Sequence, residues 1–377
     1  MNGVGLRMAV VFALAVFLGT GAAHSTDSTM TETIAIAPTD EALTFARAGE
    51  KIIAVTAYEN DRVRGVDLTA LAGPGEDAAD LVNRLGYDKL KGEIERATQS
   101  VEVPVGDLDI PIRLTGAHIA AATNYREHAK EATVEGGPFL FPKLVTPTGA
   151  RAAIPASRGM LDYEVELCLV TLKPIADDQD AAGGLMLCND VTDRATLLRN
   201  IDPVNPESGK GFTSGKSAPG FLPVGDLFVV PRDMRAFAKS LELQLSVNGV
   251  ERQRAIVSMW IWDFDEILRQ ARLRRATTWS YWGGTARLPF AADGAVPART
   301  LVLAGTPAGT VFKGLHWSDY VLGILDWLYG GWDKTIAHHV VERHIAAARE
   351  AGAYLQPGDE VTIRVNRLGA LSNKVAK

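Results

Sequence analysis

LDYEVELCLV, residues 161–170, sets Asp162, Glu164 and Glu166 into a stretch that otherwise reads as a strand bound for the protein interior. Side chains at i and i+2 of a strand project from one face, so Glu164 and Glu166 share a face and Asp162 joins it at its start. An isolated ExE is ordinarily a solvated acidic face. If these acids are buried, each costs on the order of several kcal/mol unless a counter-charge meets it.

A second apolar run, GLMLCND (184–190), ends in Asp190 beside a turn. Together Glu164, Glu166 and Asp190 offer three hard oxygen donors, with no Cys or His at suitable spacing. Such a set suits Mg²⁺, Mn²⁺ or Ca²⁺ rather than Zn²⁺, and it leaves coordination positions for substrate and water. On this reading the acids are tolerated because a divalent cation neutralises them.

Around this pair the chain is β-rich. GGLMLCNDV, LELQLSVNG, RTLVLAGT and DEVTIRVNRLG read as further strands, and the Asn-Gly after LELQLSV predicts a hairpin. Neither a glycine fingerprint nor a P-loop pattern occurs, so no doubly wound nucleotide fold is expected. KIIAVTAY and RVRGVDL read as strands around a turn at 59–61, with a helical pattern over 76–98. The organisation expected is a small α+β domain at 41–113, followed by a β-rich domain at 114–377 that holds every chemical constellation.

At 377 residues with a net charge of -6, the chain has no basic surface for nucleic acid. Arg7, the apolar run at 8–18 and the small residues Gly21 and Ala23 have the layout of a signal peptide cleaved after Ala23. That layout implies export, in a bacterium to the periplasm, and His24 to Asp40 reads as a linker. The two cysteines, Cys168 and Cys188, are expected as buried free thiols, with a disulfide open if their strands are neighbours.

Eight segments in order resemble the fumarylacetoacetate hydrolase family: NYREHAKE (124–131), PFLFPK (138–143), DYEVEL (162–167), NDVTDR (189–194), GKSAPGFLPVG (215–225), VNGVERQ (247–253), AGTPAG (304–309) and LQPGDEVTIRVNRLGALSN (355–373). The resemblance implies a mixed β-roll whose members act on small keto acids, often as homodimers. It implies Mg²⁺, or Mn²⁺ or Ca²⁺, on Glu164, Glu166 and Asp190, with an enolate stabilised as a carbon–carbon bond is cleaved. It makes His128 and Glu131 a water-activating dyad, a spacing that places them side by side on a helix. Lys216 would stabilise anionic oxygen. Lys143, on a loop expected to be mobile, Arg194, Thr306 and Tyr125 would contact substrate. Hydrolysis of an acylpyruvate-type dicarbonyl leads; decarboxylation, isomerisation or hydration of a related keto acid, and a non-catalytic binding role, remain alternatives.

Two departures from the family pattern stand out. Leu197 occupies a position where the family has glutamine, and residues 311–354 form a long insert. The insert carries Trp317, Tyr320, Trp327, Tyr329 and Trp332, then a helical pattern with His338, His339 and His344. It reads as extra core or a dimer contact, as a lid over a larger apolar substrate, or as a surface for membrane contact. Apart from the signal peptide and this insert, nothing in the chain suggests a membrane.

Overall fold

The computed structural model describes residues 33–132, 136–156, 159–202 and 205–377. The expected signal peptide and most of the expected linker lie outside them. Among the described residues no helix is long and apolar enough to cross a membrane.

The strands are, in chain order, β1 (Ala42–Ala48), β2 (Lys51–Glu59), β3 (Arg62–Asp67), β4 (Val101–Pro104), β5 (His118–Ala122), β6 (Phe139–Lys143), β7 (Leu161–Asp162), β8 (Val165–Thr171), β9 (Gly183–Asn189), β10 (Thr192–Asp193), β11 (Phe228–Pro231), β12 (Glu242–Val247), β13 (Val250–Ile256), β14 (Trp279–Tyr281), β15 (Gly284–Ala286), β16 (Leu301–Leu303), β17 (Glu360–Val365) and β18 (Gly369–Lys374). The helices are α1 (Ala78–Leu85), α2 (Tyr87–Arg96), α3 (Arg126–Glu131), α4 (Arg194–Asn200), α5 (Phe212–Lys216), α6 (Met234–Lys239), α7 (Phe264–Leu273), α8 (Trp317–Leu328) and α9 (Ile336–Glu350).

Ten strands form one mixed sheet in the order β4-β3-β2-β1-β11-β9-β8-β16-β5-β6. A four-stranded sheet, β13-β12-β17-β18, lies against it through β12 on β8 and β18 on β9. This is the mixed, β-rich α+β architecture expected. Strand β1 pairs with β11, so the amino-terminal strands extend the sheet that carries the site, and residues 32–377 form one compact unit. Every residue of β8 is buried, as a strand covered on both faces must be.

Local chemistry sets the connections. Asn60 and Asp61, both at positive φ, turn β2 into β3, and Asn248 and Gly249 do the same between β12 and β13. The helical pattern at 76–98 is two helices: Gly86, at φ 77°, takes a backbone conformation that interrupts a helix, and Asp77 caps the first with a capping box.

The stretch that opened the analysis is also interrupted. Leu161 and Asp162 pair with β10 as β7, and the chain re-enters the large sheet at Val165. The thiols expected to be free are joined: Cys168 and Cys188 form a disulfide. Strands β8 and β9 are hydrogen-bonded neighbours in which Cys168 lies opposite Met186 and Cys188 opposite Glu166, so the sulfurs meet across the diagonal.

His118 ties β5 to its surroundings. Its Nδ1 accepts the Leu301 amide at 3.1 Å and its Nε2 donates to the Val145 carbonyl at 3.2 Å. Burial, with the nearby Lys143 charge, pushes its pKa down to about 3, although the Val145 carbonyl opposes the shift. The folded state therefore holds His118 neutral, and its contribution is complete above the unfolded pKa of about 6.5 and lost as pH falls toward 3. In urea unfolding, the stability advantage of wild type over His118→Gln should shrink by up to roughly 1.4 kcal/mol per pH unit between pH 6 and 4.

Candidate active site

The antiparallel pairing of β8 with β9 brings the carboxylates together. Val165 lies opposite Asn189, so Glu164, just before β8, and Asp190, just after β9, are neighbours at the same end of the pair. The Asp190 amide donates to the Glu164 carbonyl at 2.9 Å, and the Asn189 side chain accepts the Glu164 amide at 3.2 Å. Glu164, Glu166 and Asp190 are all buried, with ligating oxygens within 4.8 Å of one another. Asp162 does not join them. It turns toward Arg194 and accepts the Val311 and Phe312 amides, fixing the start of the insert.

Cations meet this cluster from three elements. Lys216, ending α5, donates to Glu164 and Asp190 at 2.7 Å each. Arg194, opening α4, donates to Glu164 at 2.6 Å and Asp162 at 2.9 Å. Asp193 caps that helix through the Thr196 amide, which sets the arginine at its first position. Lys143 donates to Asp190 and to the Lys216 carbonyl at 2.5 Å. It is not on a loop, as its motif suggested, but at the end of β6 and fully buried.

Four buried acids, Asp162, Glu164, Glu166 and Asp190, thus face three buried cations, leaving one formal negative charge. Among the described residues Glu166 has no ion-pair partner, and the Gly305 amide donates to it at 2.7 Å. Burial first, then the Asp190 and Glu164 charges, raise its carboxyl well above the ordinary range. Burial also raises Glu164, but Lys216 and Arg194 outweigh it and hold that group below its ordinary value. The donor set, three converging carboxylates in a cluster of net negative charge, offers the hard oxygens that a divalent cation takes.

Beside the cluster stands the dyad. The α3 helix puts His128 and Glu131 one turn apart, with Nδ1 4.0 Å from Oε2, beyond hydrogen-bond length. That buried Nδ1 has no hydrogen-bond partner among the described residues. Glu131 accepts from Lys313 at 2.6 Å and from the Gly309 amide at 2.9 Å. Burial raises its pKa, but His128, Lys313 and the Gly309 amide prevail and hold it at about 2. Just ahead of the helix, Thr123 takes φ 52°, a strained conformation for a non-glycine residue. Asn124 pins that bend with bonds to Trp262 and Ala304.

A cavity of about 410 Å³ joins these parts; His128, Glu164, Asp190, Arg194, Lys216 and Thr306 form its polar end. Thr306 accepts from Gln253 at 2.8 Å, which leaves its own hydroxyl proton for the cavity. The Gly305 and Gly309 amides of the same turn are committed to Glu166 and Glu131. Tyr125 is buried against Trp260 and is not part of the cavity wall; burial first, then the Glu166 charge, raises its hydroxyl pKa.

The conspicuous aromatics of the insert are not core, since Trp317, Tyr329 and Trp332 are 80%, 87% and 72% exposed, whereas Ile345 and Tyr354 join the main core. Its helices α8 and α9 pack on each other and roof the cavity with Tyr320, Ile336 and Val340. Leu197, where the family pattern has glutamine, is buried in the cavity wall.

Gln253 is a residue the motifs did not single out. It is the one fully buried position of β13, and it accepts the Val165 amide at 3.0 Å while donating to Thr306 and to the Pro307 carbonyl at 2.8 Å. A solitary polar residue at a core-facing position of an edge strand was the available signal. Gly309 completes the contact: at φ 109° its Cβ would lie 2.0 Å from the Arg252 carbonyl oxygen. Gln253→Leu leaves the Val165 amide unpaired and should lower the unfolding free energy by roughly 2–4 kcal/mol, read as a reduced urea midpoint at unchanged m-value.

The profile of the fumarylacetoacetate (FAA) hydrolase C-terminal family matches residues 117–376. An uncharacterized protein of Staphylococcus aureus (strain USA300) is 25% identical over 269 residues, covering 69% of this chain and 68% of its own length. A probable 2-hydroxyhepta-2,4-diene-1,7-dioate isomerase from Mycobacterium abscessus has a similar fold, with TM-score 0.56, 21% identity and coverage of 89% of this chain and 98% of that one. Maleylpyruvate hydrolase from Sphingobium sp. SYK-6, solved with manganese(II) and pyruvate, gives TM-score 0.55, 19% identity and coverage of 89% and 99%.

Proposed function

This chain belongs to the fumarylacetoacetate hydrolase family, and we propose that it is a divalent-metal-dependent enzyme that hydrolyses a carbon–carbon bond in an acylpyruvate-type dicarbonyl acid. The observation that carries this reading is the buried Glu164, Glu166 and Asp190 group, of which Glu164 and Asp190 line the same cavity as His128. Those three residues would hold Mg²⁺, Mn²⁺ or Ca²⁺, which would polarise the dicarbonyl and stabilise negative charge on its oxygens. Manganese and pyruvate in the similar maleylpyruvate hydrolase support a ligand pair of this class.

His128 takes a proton from water, whose oxygen adds to the acyl carbonyl carbon. The bond from that carbon to the methylene breaks, and the electron pair stays on the pyruvate half as an enolate. His128 returns the proton to the methylene carbon, so water and substrate give a carboxylic acid and pyruvate. Glu131, anionic at working pH with its pKa near 2, stabilises the charged imidazole. Lys216 and the Thr306 hydroxyl offer positive charge and a donor to developing anionic oxygen. Arg194 orients Glu164 and faces the cavity where a substrate carboxylate would lie.

The same proposal places the mature chain outside the cytoplasm, in a bacterial periplasm, as a homodimer. The apolar run at 8–18 supports export, and the Cys168–Cys188 disulfide accords with an oxidising compartment.

Acylpyruvates and oxaloacetate, incubated with the protein and Mg²⁺ or Mn²⁺, separate the alternatives. Equimolar release of two acids, abolished by chelator and restored by metal, is the expected result. Carbon dioxide without an acid pair would replace hydrolysis with decarboxylation, and absence of any turnover would favour a binding protein. His128→Ala should lower kcat by roughly 10²- to 10⁴-fold with divalent affinity unchanged, as titration calorimetry would read. Glu166→Gln should instead weaken divalent binding by roughly 10-fold or more.

A further inference from the structure

We infer that the substrate carries an apolar acyl tail, seated between α4 and the insert, in place of a second carboxylate. The inference rests on the keto-acid reading for the head group alone. The cavity has two chemically distinct ends. His128 and the charged residues Glu164, Asp190, Arg194 and Lys216 gather at the floor. Beyond them the walls are Leu197 and Leu198 of α4 and Ile201 just after it, while Phe141 and Phe212 border the charged floor, with Phe141 5.9 Å from the Lys216 ammonium.

The roof is built to the same character. Ile336, Ala337, Val340 and Val341 fall at i, i+1, i+4 and i+5 of α9 and so share one helix face, and all four line the cavity. Leu315 and Tyr320 add to it, and among the described lining residues none from the insert is charged. The charged groups of α9 point elsewhere: Glu342 makes a bidentate pair with Arg199 at 2.6 and 2.8 Å, clamping α9 onto α4 outside the cavity. That pairing also commits the one guanidinium of α4 that could have met a distal anion.

A carboxylate at the apolar end would lose its water without gaining a partner. Methylene groups there gain roughly fourfold in affinity each, the equivalent of about 0.8 kcal/mol per buried CH₂. At about 410 Å³ the cavity lies in the range that encloses whole small-molecule ligands.

The test uses the full chain loaded with Mn²⁺ and two ligand series read by titration calorimetry. One series is straight-chain 2-oxo acids from pyruvate to 2-oxodecanoate; the other is the matching 2-oxo diacids with a terminal carboxylate. The expected result is a Kd that falls roughly fourfold per methylene over the first several carbons, with each diacid at least 10-fold weaker than its monoacid. Ile336, 40% exposed at the start of α9, accepts substitution without disturbing the core, and Ile336→Arg should flatten the first series and tighten the second. A Kd independent of chain length, or diacids that bind better to wild type, would overturn the inference. Turnover of acylpyruvates with flat chain-length dependence sinks the tail and leaves the reaction standing. A steep binding series without turnover of any dicarbonyl does the reverse.

Discussion

Burying four carboxylates beside three cations is the constraint on which the rest of the molecule depends. An ionised group moved into the interior without compensation costs several kcal/mol even after relaxation, so each member fixes its neighbours. Lys216 must end α5 where it can bridge Glu164 and Asp190, Arg194 must open α4 against Asp162 and Glu164, and Lys143 must close β6 against Asp190. Elements far apart in sequence are held in register by charge, and the cavity floor is where their ends converge. The cluster is weak evidence for stability, since well-packed apolar residues could replace it at little cost. Its retention is better explained by what the oxygens can bind.

Much of this centre was legible because its information lies in residue type. Carboxylates at alternate strand positions announce a shared face wherever the strand lies, and HxxE announces a helical neighbour pair. Asn-Gly and Asn-Asp turns were equally local, since few other residues accept positive φ. What escaped was tertiary. Nothing at 138–143 says that Lys143 ends a strand whose last side chain enters the cluster; β5–β6 pairing decides it. The disulfide follows from β8–β9 register, and the break after Asp162 follows from competition for its backbone by β10. The local pattern could mark Gln253 as a polar residue facing the core, but its partners Val165, Thr306 and Pro307 are set by packing between two sheets.

The insert shows the same division. Its aromatics were conspicuous in sequence, but their number did not say which would face water and which the cavity. In the fold the indoles of Trp317 and Trp332 lie largely in solvent, while smaller aliphatic residues of α9 make the roof. Gly323 explains how the two helices approach so closely, since a Cβ there would lie 2.6 Å from the Val340 backbone.

Glu131 belongs to two structures at once. It is the acidic half of the dyad on α3, and it also accepts the Gly309 amide and the Lys313 ammonium at the root of the insert. One of the roof's anchors and the imidazole's electrostatic partner are therefore the same side chain. Displacement of the root changes the hydrogen bonds that keep this carboxylate anionic, and loss of that charge loosens the root in turn. A substitution at either of these contacts of Glu131 is therefore felt at the other, so the insert's root and the dyad cannot vary independently.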